Sequence, residues 1–283
     1  MAVTRPASRA ELIWIAPAAI ATHVVADAGE LLAIQRDEPW RVRVTTRGDA
    51  ALLGRWREHG NDCAVLGLWC SPERVPILVP DLMDVARERG FDRLLGPLVP
   101  ETAVRPYLEA GLRAIERVLV LRLARPKRAC DDDAPPPAGV QVREATAGDL
   151  DGIADVDAAS FDDFWRYDPS ALARYAASER ASVAVKDGHV IGYTLATVRG
   201  GDGSLGRLAV APEGRGVGIG RALTCEAVAW MARQGAMAVT LSTQEANAAS
   251  RRLYRGIGFR ELDEALIVTA SRALREDGDG TQK

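Results

Sequence analysis

Cysteine is scarce in this chain of 283 residues, and Cys63, Cys70, Cys130 and Cys225 show no C-x-x-C spacing. Four thiols at these positions make neither a disulfide framework nor a familiar zinc pattern, so they read as reduced thiols of a cytosolic protein. No run approaches the roughly 18 apolar residues that a membrane-spanning helix needs. A basic stripe is also missing. Lys and Arg number 36 against 39 Asp and Glu, for a net charge of −3, and the basic residues are dispersed. Without a cluster to neutralise phosphates, nucleic acid is not an expected partner. The segment LIWIAPAAIA after Arg5 and Arg9 has the outline of a signal peptide. Glu11 at its edge, Pro17 inside it and the periodic sequence that follows favour a folded amphipathic start instead.

What is present fits a soluble globular protein: 47% hydrophobic and 27% charged residues, at a length suited to two domains. The clearest boundary is RPKRACDDDAPPPAG, Arg125 to Gly139, where charge blocks and three consecutive prolines replace any apolar period. The expected division is a first domain over 1–125, a linker over 126–139, a second domain over 140–272 and a polar tail over 273–283.

After the linker, the sequence alternates strand-like stretches (VQVREA, ASVAVKD, HVIGYTLATVR, LGRLAVA, AVTLS, ALIVTA) with helix-like ones (GDLDGIADVDAASF, PSALARYAAS, RALTCEAVAWMARQG). Hairpin and crossover connections both occur, so the class is mixed α/β, of the α+β kind. The first half echoes the end of the second. RPYLEAGLRAIERVLVLRL aligns without gaps on RLYRGIGFRELDEALIVTA, placing Tyr107 on Tyr254, Gly111 on Gly258 and Arg113 on Arg260. The pattern implies a duplicated domain.

Between a strand and a helix of the second half lies PEGRGVGIGRA. A Walker loop needs Lys and Ser or Thr after its last glycine, and a dinucleotide loop needs a third glycine where Arg221 stands; neither fits. A strand that passes through glycines into a helix offers another solution. Successive N–H groups converge on one point, and the helix dipole adds positive potential there, which suits a pyrophosphate. Leu223, Ala227, Trp230 and Met231 form the apolar stripe that would hold such a helix against a core.

RLAVAPEGRGVGIGRAL, followed by NAASRRLYRGIGF, resembles the GNAT superfamily of acetyl-CoA-dependent N-acetyltransferases, its signature filled by Arg215, Gly218 and Gly220. The resemblance covers about 140–270 and is similar to ribosomal-protein N-acetyltransferases. A degenerate match over about 64–123 makes the layout tandem, similar to that of mycothiol synthases. It implies two GNAT-like domains, each a bent, mainly antiparallel sheet flanked by helices, with the central strands of the second splayed apart. Leu208, Ala209 and Val210 would pair with the pantetheine arm through their backbones. The amides of Arg215, Gly216, Val217, Gly218, Ile219 and Gly220, aided by Arg221, would hold the pyrophosphate. Asn247 would cap its helix and bond the same arm, and no metal is implied.

The chemistry implied is direct attack of an amine on the thioester, with the Val210 N–H donating to the developing oxyanion and Tyr254 donating a proton to the leaving thiolate. Packing on a short helix is the other reading of Tyr254. The glutamate that related enzymes carry on the strand after the long helix is Ser242 here, and Glu245 is a poor substitute. Neutralising a lysine amine of pKa about 10.4 at pH 7 costs about 4.6 kcal/mol, against about 1 kcal/mol for an α-amine near 7.8. A site without a strong base therefore suits an α-amine or a small amino compound. The expected enzyme is cytoplasmic, a monomer or homodimer, with an amine acceptor and no membrane partner. A coenzyme-binding sensor without catalysis, or an amino-sugar or antibiotic acetyltransferase, are the rival readings. SFDDFWRYDPS reads either as an aromatic, acidic mouth for a cationic amine or as a helix end packing its aromatics inward. The first copy has CSPERVPILVPDLM in place of the glycine loop, and Pro72, Pro76 and Pro80 each remove an N–H. A second coenzyme site is not expected there.

Overall fold

The computed structural model describes residues 3–22, 24–58, 60–128 and 136–274. Half of the expected linker and most of the expected tail fall outside these residues. The chain forms two compact units, and neither is one continuous segment. Residues 1–56, 60–117 and 266–283 make the first; 57–59 and 118–265 make the second.

The first unit begins with β1 (Arg5–Pro6), α1 (Leu12–Ala21), α2 (Ala28–Asp37), β2 (Val42–Val44), β3 (Ala50–Arg55) and β4 (Asp62–Trp69). It continues with α3 (Val75–Glu88), β5 (Arg93–Leu95), β6 (Val99–Pro100) and α4 (Arg105–Glu109), and then β7 (Arg113–Leu123) leads out of it. The signal-like segment folds as α1, its Leu12, Ile15, Ala16 and Ala19 packed with Leu31 of α2 and Leu52 of β3. β1 to β4 are antiparallel neighbours and β4 pairs with β5 in parallel.

The second unit contains β8 (Val140–Glu144), α5 (Leu150–Ser160), α6 (Pro169–Ser178), β9 (Arg180–Lys186), β10 (His189–Arg199) and β11 (Asp202–Val210). α7 (Ile219–Arg233), β12 (Ala238–Gln244) and α8 (Ala248–Ile257) follow, and β13 (Arg260–Ala270) leads out. Its sheet runs β12-β11-β10-β9-β8, antiparallel except for β11 with β12, whose parallel crossover is α7. α5 and α6 cover one face around Ile153, Val156, Leu172, Val183 and Leu195. α7 and α8 cover the other, around Leu205, Ala227, Val228, Met231 and Ile257. Leu223, Ala227 and Met231 are buried as their spacing requires.

The repeat seen in the sequence is a structural repeat. β7 and β13 have the same length and start at the matched Arg113 and Arg260; Gly111 and Gly258 before them have φ of 91° and 107°, a region that favours glycine. The two strands, however, exchange their ends. Val118–Leu123 of β7 pairs with β12 in the second unit, while Leu266–Ala270 of β13 pairs with β6 and β5 in the first. No helix among the described residues is long and apolar enough to cross a membrane. Cys63 and Cys70 are free thiols. Cys225, on a partly exposed turn of α7, is disulfide-bonded, which corrects the expectation of reduced thiols throughout.

One buried network anchors the α5–α6 connection to the sheet. Arg207 of β11 donates from Nε and Nη2 to Asp157 of α5 at 2.8 and 2.6 Å, and from Nη2 to the Trp165 carbonyl at 2.9 Å. The Tyr193 hydroxyl donates to the same carboxylate, and burial pushes its pKa up, so it keeps its proton. The Arg207 guanidinium lies 3.5 Å from the Phe161 ring centre, and Arg57 lies 4.4 Å from that of Tyr167 and 5.0 Å from that of Trp165. The faces of Phe161, Trp165 and Tyr167 in SFDDFWRYDPS are thus engaged by the protein's own cations, as the packing reading expects. Asp157→Ala leaves Arg207 buried without its counter-ion, and urea unfolding of the full chain is expected to show a loss of about 3–5 kcal/mol.

Candidate active site

β11 carries one residue more than β10 can pair. Leu195 stands opposite Arg207 and Ala196 opposite Leu205, which leaves Gly206 as a bulge. Before it, Gly203 and Leu205 face α7. After it the parity reverses: Leu208 and Val210 face α7, while Arg207 and Ala209 face α5. The parallel ladder to β12 stops at the same place. Its last pair is Leu205 with Leu241, although both strands continue.

Beyond the bulge, backbone direction follows from the ladder. Ala211 N–H donates to Ile191 O at 3.0 Å, so the hydrogen-bonded antiparallel pairs are 211 with 191 and 209 with 193. Ala209 thus spends its backbone groups on Tyr193. Leu208 and Val210 turn theirs away from β10, toward the side where β12 has left. The Val210 carbonyl accepts there from Ser160 Oγ at 3.2 Å and Arg215 Nε at 3.0 Å.

The chain then turns through Pro212–Gly214 into α7. Gly216 and Gly218 have φ of 81° and 98°, and Gly218 is the N-cap of α7. The ends of α6 and α8 show the usual solution: Asp168 accepts from Ser170 N–H at 2.8 Å and Asn247 from Ser250 N–H at 3.1 Å. At Gly218 no side chain exists to do this. Among the described residues, no hydrogen bond reaches the backbone amides from Gly216 to Arg221. A row of unpaired N–H groups at the positive end of a 15-residue helix is suited to an anion. Ile219 packs its side chain with Leu223 and Ala184 and offers only its amide, while Val217 is exposed.

The pieces converge. A Cβ on Gly220 would lie 3.3 Å from Leu253 Cδ2 and 3.7 Å from Val210 Cγ2, so the end of β11, the first turn of α7 and α8 meet at this glycine. Arg221 Nη1 donates to Gly256 O at 3.1 Å, which ties α7 to α8. Residues 150–259 match the acetyltransferase (GNAT) family. This part of the chain is a GNAT acetyltransferase domain.

Two curated relatives named mycothiol acetyltransferase match parts of the chain. That of Stackebrandtia nassauensis is 32% identical over 144 residues, 46% of this chain and 47% of its own. That of Thermobispora bispora is 38% identical over 84 residues, 27% and 28%. The chain thus spans less than half the length of either. Likeness to solved structures extends further. A GCN5-related N-acetyltransferase from Sphaerobacter thermophilus superposes with a TM-score of 0.65 at 20% identity, covering 97% of this chain and 96% of that one. A tandem GNAT protein from the clavulanic acid biosynthesis pathway gives 0.63 at 17%, covering 83% and 82%. At such identities the likeness is one of fold, and it includes the first half.

Within the GNAT domain, Tyr254 lies on α8, buried, its ring edge-on to Phe259 at 5.8 Å between centres. Burial raises its pKa, so the phenol keeps its proton at neutral pH. Its counterpart Tyr107 is also buried, its pKa pushed up to about 12 for the same reason. Ser242 is exposed on β12, in register with Val120 of β7. The bulge was missed in the sequence reading, although a glycine inside a strand is its ordinary signal. Gly218→Ala forces a side chain into positive φ and is expected to cost about 1–3 kcal/mol in urea unfolding.

Proposed function

We propose that the protein transfers an acetyl group from acetyl-CoA to a primary amine, an α-amine or a small amino compound, by direct attack. The observation that carries the reading is the parting of β11 from β12 at Gly206, directly before an uncapped glycine turn. Leu208 and Val210 have backbone groups directed to that opening, and these would hold the pantetheine arm. Ala209 shares the strand but not this direction. The amides from Gly216 to Arg221 would hold the pyrophosphate; Arg215 spends its own N–H on Pro212 O and its side chain on Val210 O, so it holds the turn and does not offer an amide. Asn247 accepts Ser250 N–H with its side-chain oxygen, so its amide N–H groups remain available as donors to the same arm.

The Val210 N–H, aimed at the opening, is the donor for the developing oxyanion, and Tyr254 is the proton source for the leaving sulfur. Acetyl-CoA, when bound, supplies the thioester; the chain supplies position, an oxyanion donor and a proton. The curated relatives are named for mycothiol and not for a protein, and this supports a small amino compound as acceptor.

An acceptor screen with acetyl-CoA, following free thiol release across α-amines, lysine peptides, polyamines and aminoglycosides, tests the reading. α-Amines or small amino compounds are expected to turn over well ahead of lysine side chains. Comparable rates on a peptide with a free α-amine and on its α-blocked, lysine-bearing version would exclude that preference. Tyr254→Phe is expected to lower kcat about 100-fold with the acetyl-CoA Kd unchanged. A coenzyme sensor would instead retain both binding and output.

A further inference from the structure

α5 ends beside the residue that carries the candidate chemistry. Its last residue, Ser160, is partly exposed, and the hydroxyl donates to the Val210 carbonyl at 3.2 Å. A serine hydroxyl has one proton and two lone pairs. The proton is spent on Val210 O, so Ser160 can meet any further group only as an acceptor. The Val210 N–H lies on the same edge of β11 as its carbonyl. An acceptor-only oxygen and the candidate oxyanion donor are thus brought together at one residue.

The helix end adds to this. Phe161 takes the chain into extended conformation, with φ −122° and ψ 147°, and its N–H donates to Asp157 O at 3.0 Å. Among the described residues no hydrogen bond reaches the carbonyls of Ala158, Ala159 and Ser160. α2, α3, α7 and α8 each carry an arginine in the last turn, where a cation offsets the negative end of the helix dipole. α5 has none. Arg207, which packs on this face, is committed to Asp157 and to the Trp165 carbonyl. Ala158 and Ala159 are exposed, so small side chains leave the carbonyls open to approach. The uncapped start of α7 suits an anion; the end of α5, with acceptor oxygens at a negative pole, suits a cation that donates.

We propose that the ammonium group of the acceptor docks at the C-terminal end of α5, and that Ser160 Oγ accepts one of its N–H bonds before and during the attack. This rests on the acetyltransferase reading. An N–H held on Ser160 leaves the lone pair of the neutral nitrogen free for the carbonyl carbon whose oxygen sits on the Val210 N–H. Tyr254, packed in the cluster of α7 and α8, serves the leaving sulfur from the opposite face of the sheet. The nitrogen gives one proton to solvent before it bonds to the acetyl carbon and a second afterwards. Tyr254 protonates the sulfur as the carbon–sulfur bond breaks and regains a proton from solvent, leaving amide, free thiol and one proton in solution. Ser160 keeps its own proton throughout and acts as a binding group, not as a base.

The test compares the full-length protein with Ser160→Ala and Ala159→Lys, using the amine that turns over best in the acceptor screen. Ser160→Ala is expected to raise the KM of the amine about tenfold with kcat within about twofold, because the lost bond is made both before and during the attack. Ala159→Lys leaves Ser160 in place and tethers a competing ammonium at the helix end; it is expected to raise the same KM about fivefold. In both variants the acetyl-CoA Kd should match the wild type and the Tm should not fall. A wild-type amine KM in both variants, or a loss of acetyl-CoA affinity or of Tm in step with a raised KM, overturns the docking at α5 while acetyl transfer stands. No thiol release by the wild type with any amine of the screen overturns acetyl transfer itself, and this assignment with it.

Discussion

Gly206 has no partner in β10, and its insertion changes which edge and which face each later residue of β11 presents. Leu208 and Val210 direct backbone groups away from β10 because of it, and β12 leaves the ladder at the same level. A regular strand would have continued its pairing, and no amide would be left to meet a ligand. Arg207, just past the bulge, turns to the α5 face and binds Asp157 and the Trp165 carbonyl there. The extra residue thus opens one side of the strand while a buried ion pair holds the other side closed.

The first unit carries a bulge on the matching strand. Leu66 stands unpaired in β4 between Gly67, opposite Leu52, and Val65, opposite Leu53, so this copy also has a bulge. Past it, the Trp69 ring lies 2.6 Å from where a Cβ on Gly67 would be, and the indole packs with the α1–α2 cluster. The helix that follows starts at Val75 with Pro76 in its first turn, which takes a donor from the helix end, and it carries Pro80 further in. The bulge was kept in this copy while the glycine turn was not. That pattern fits a unit retained for packing.

The elements legible in the sequence were those carried by local signals. The apolar stripe of α7, the glycines before it, the Asn247 cap and the matched Tyr107 and Tyr254 all lie within short windows, and their elements form where expected. Long-range partners left no such signal. Arg207 meets groups on α5 and on the α5–α6 connection, far back in the chain, so nothing local announced that the aromatics of SFDDFWRYDPS pack on guanidinium groups. The exchange of strand ends was hidden for another reason. β7 and β13 are copies of one another, so either sequence suits either sheet, and pattern alone cannot say which sheet each completes. The cut at the proline-rich segment follows composition, whereas the compact units follow the exchanged strands.

That exchange bears on the order in which a growing chain can reach its native contacts. Leu266–Ala270, which pair with β5 and β6, are made only after the whole of the second unit. The first unit is therefore completed only after the second, and its β5 edge waits through the synthesis of all that lies between. The second unit has its borrowed strand, Val118–Leu123, ready before its own sheet begins. A chain halted just before residue 266 would carry a finished second unit and an unfinished first one, with an open strand edge exposed to the cell.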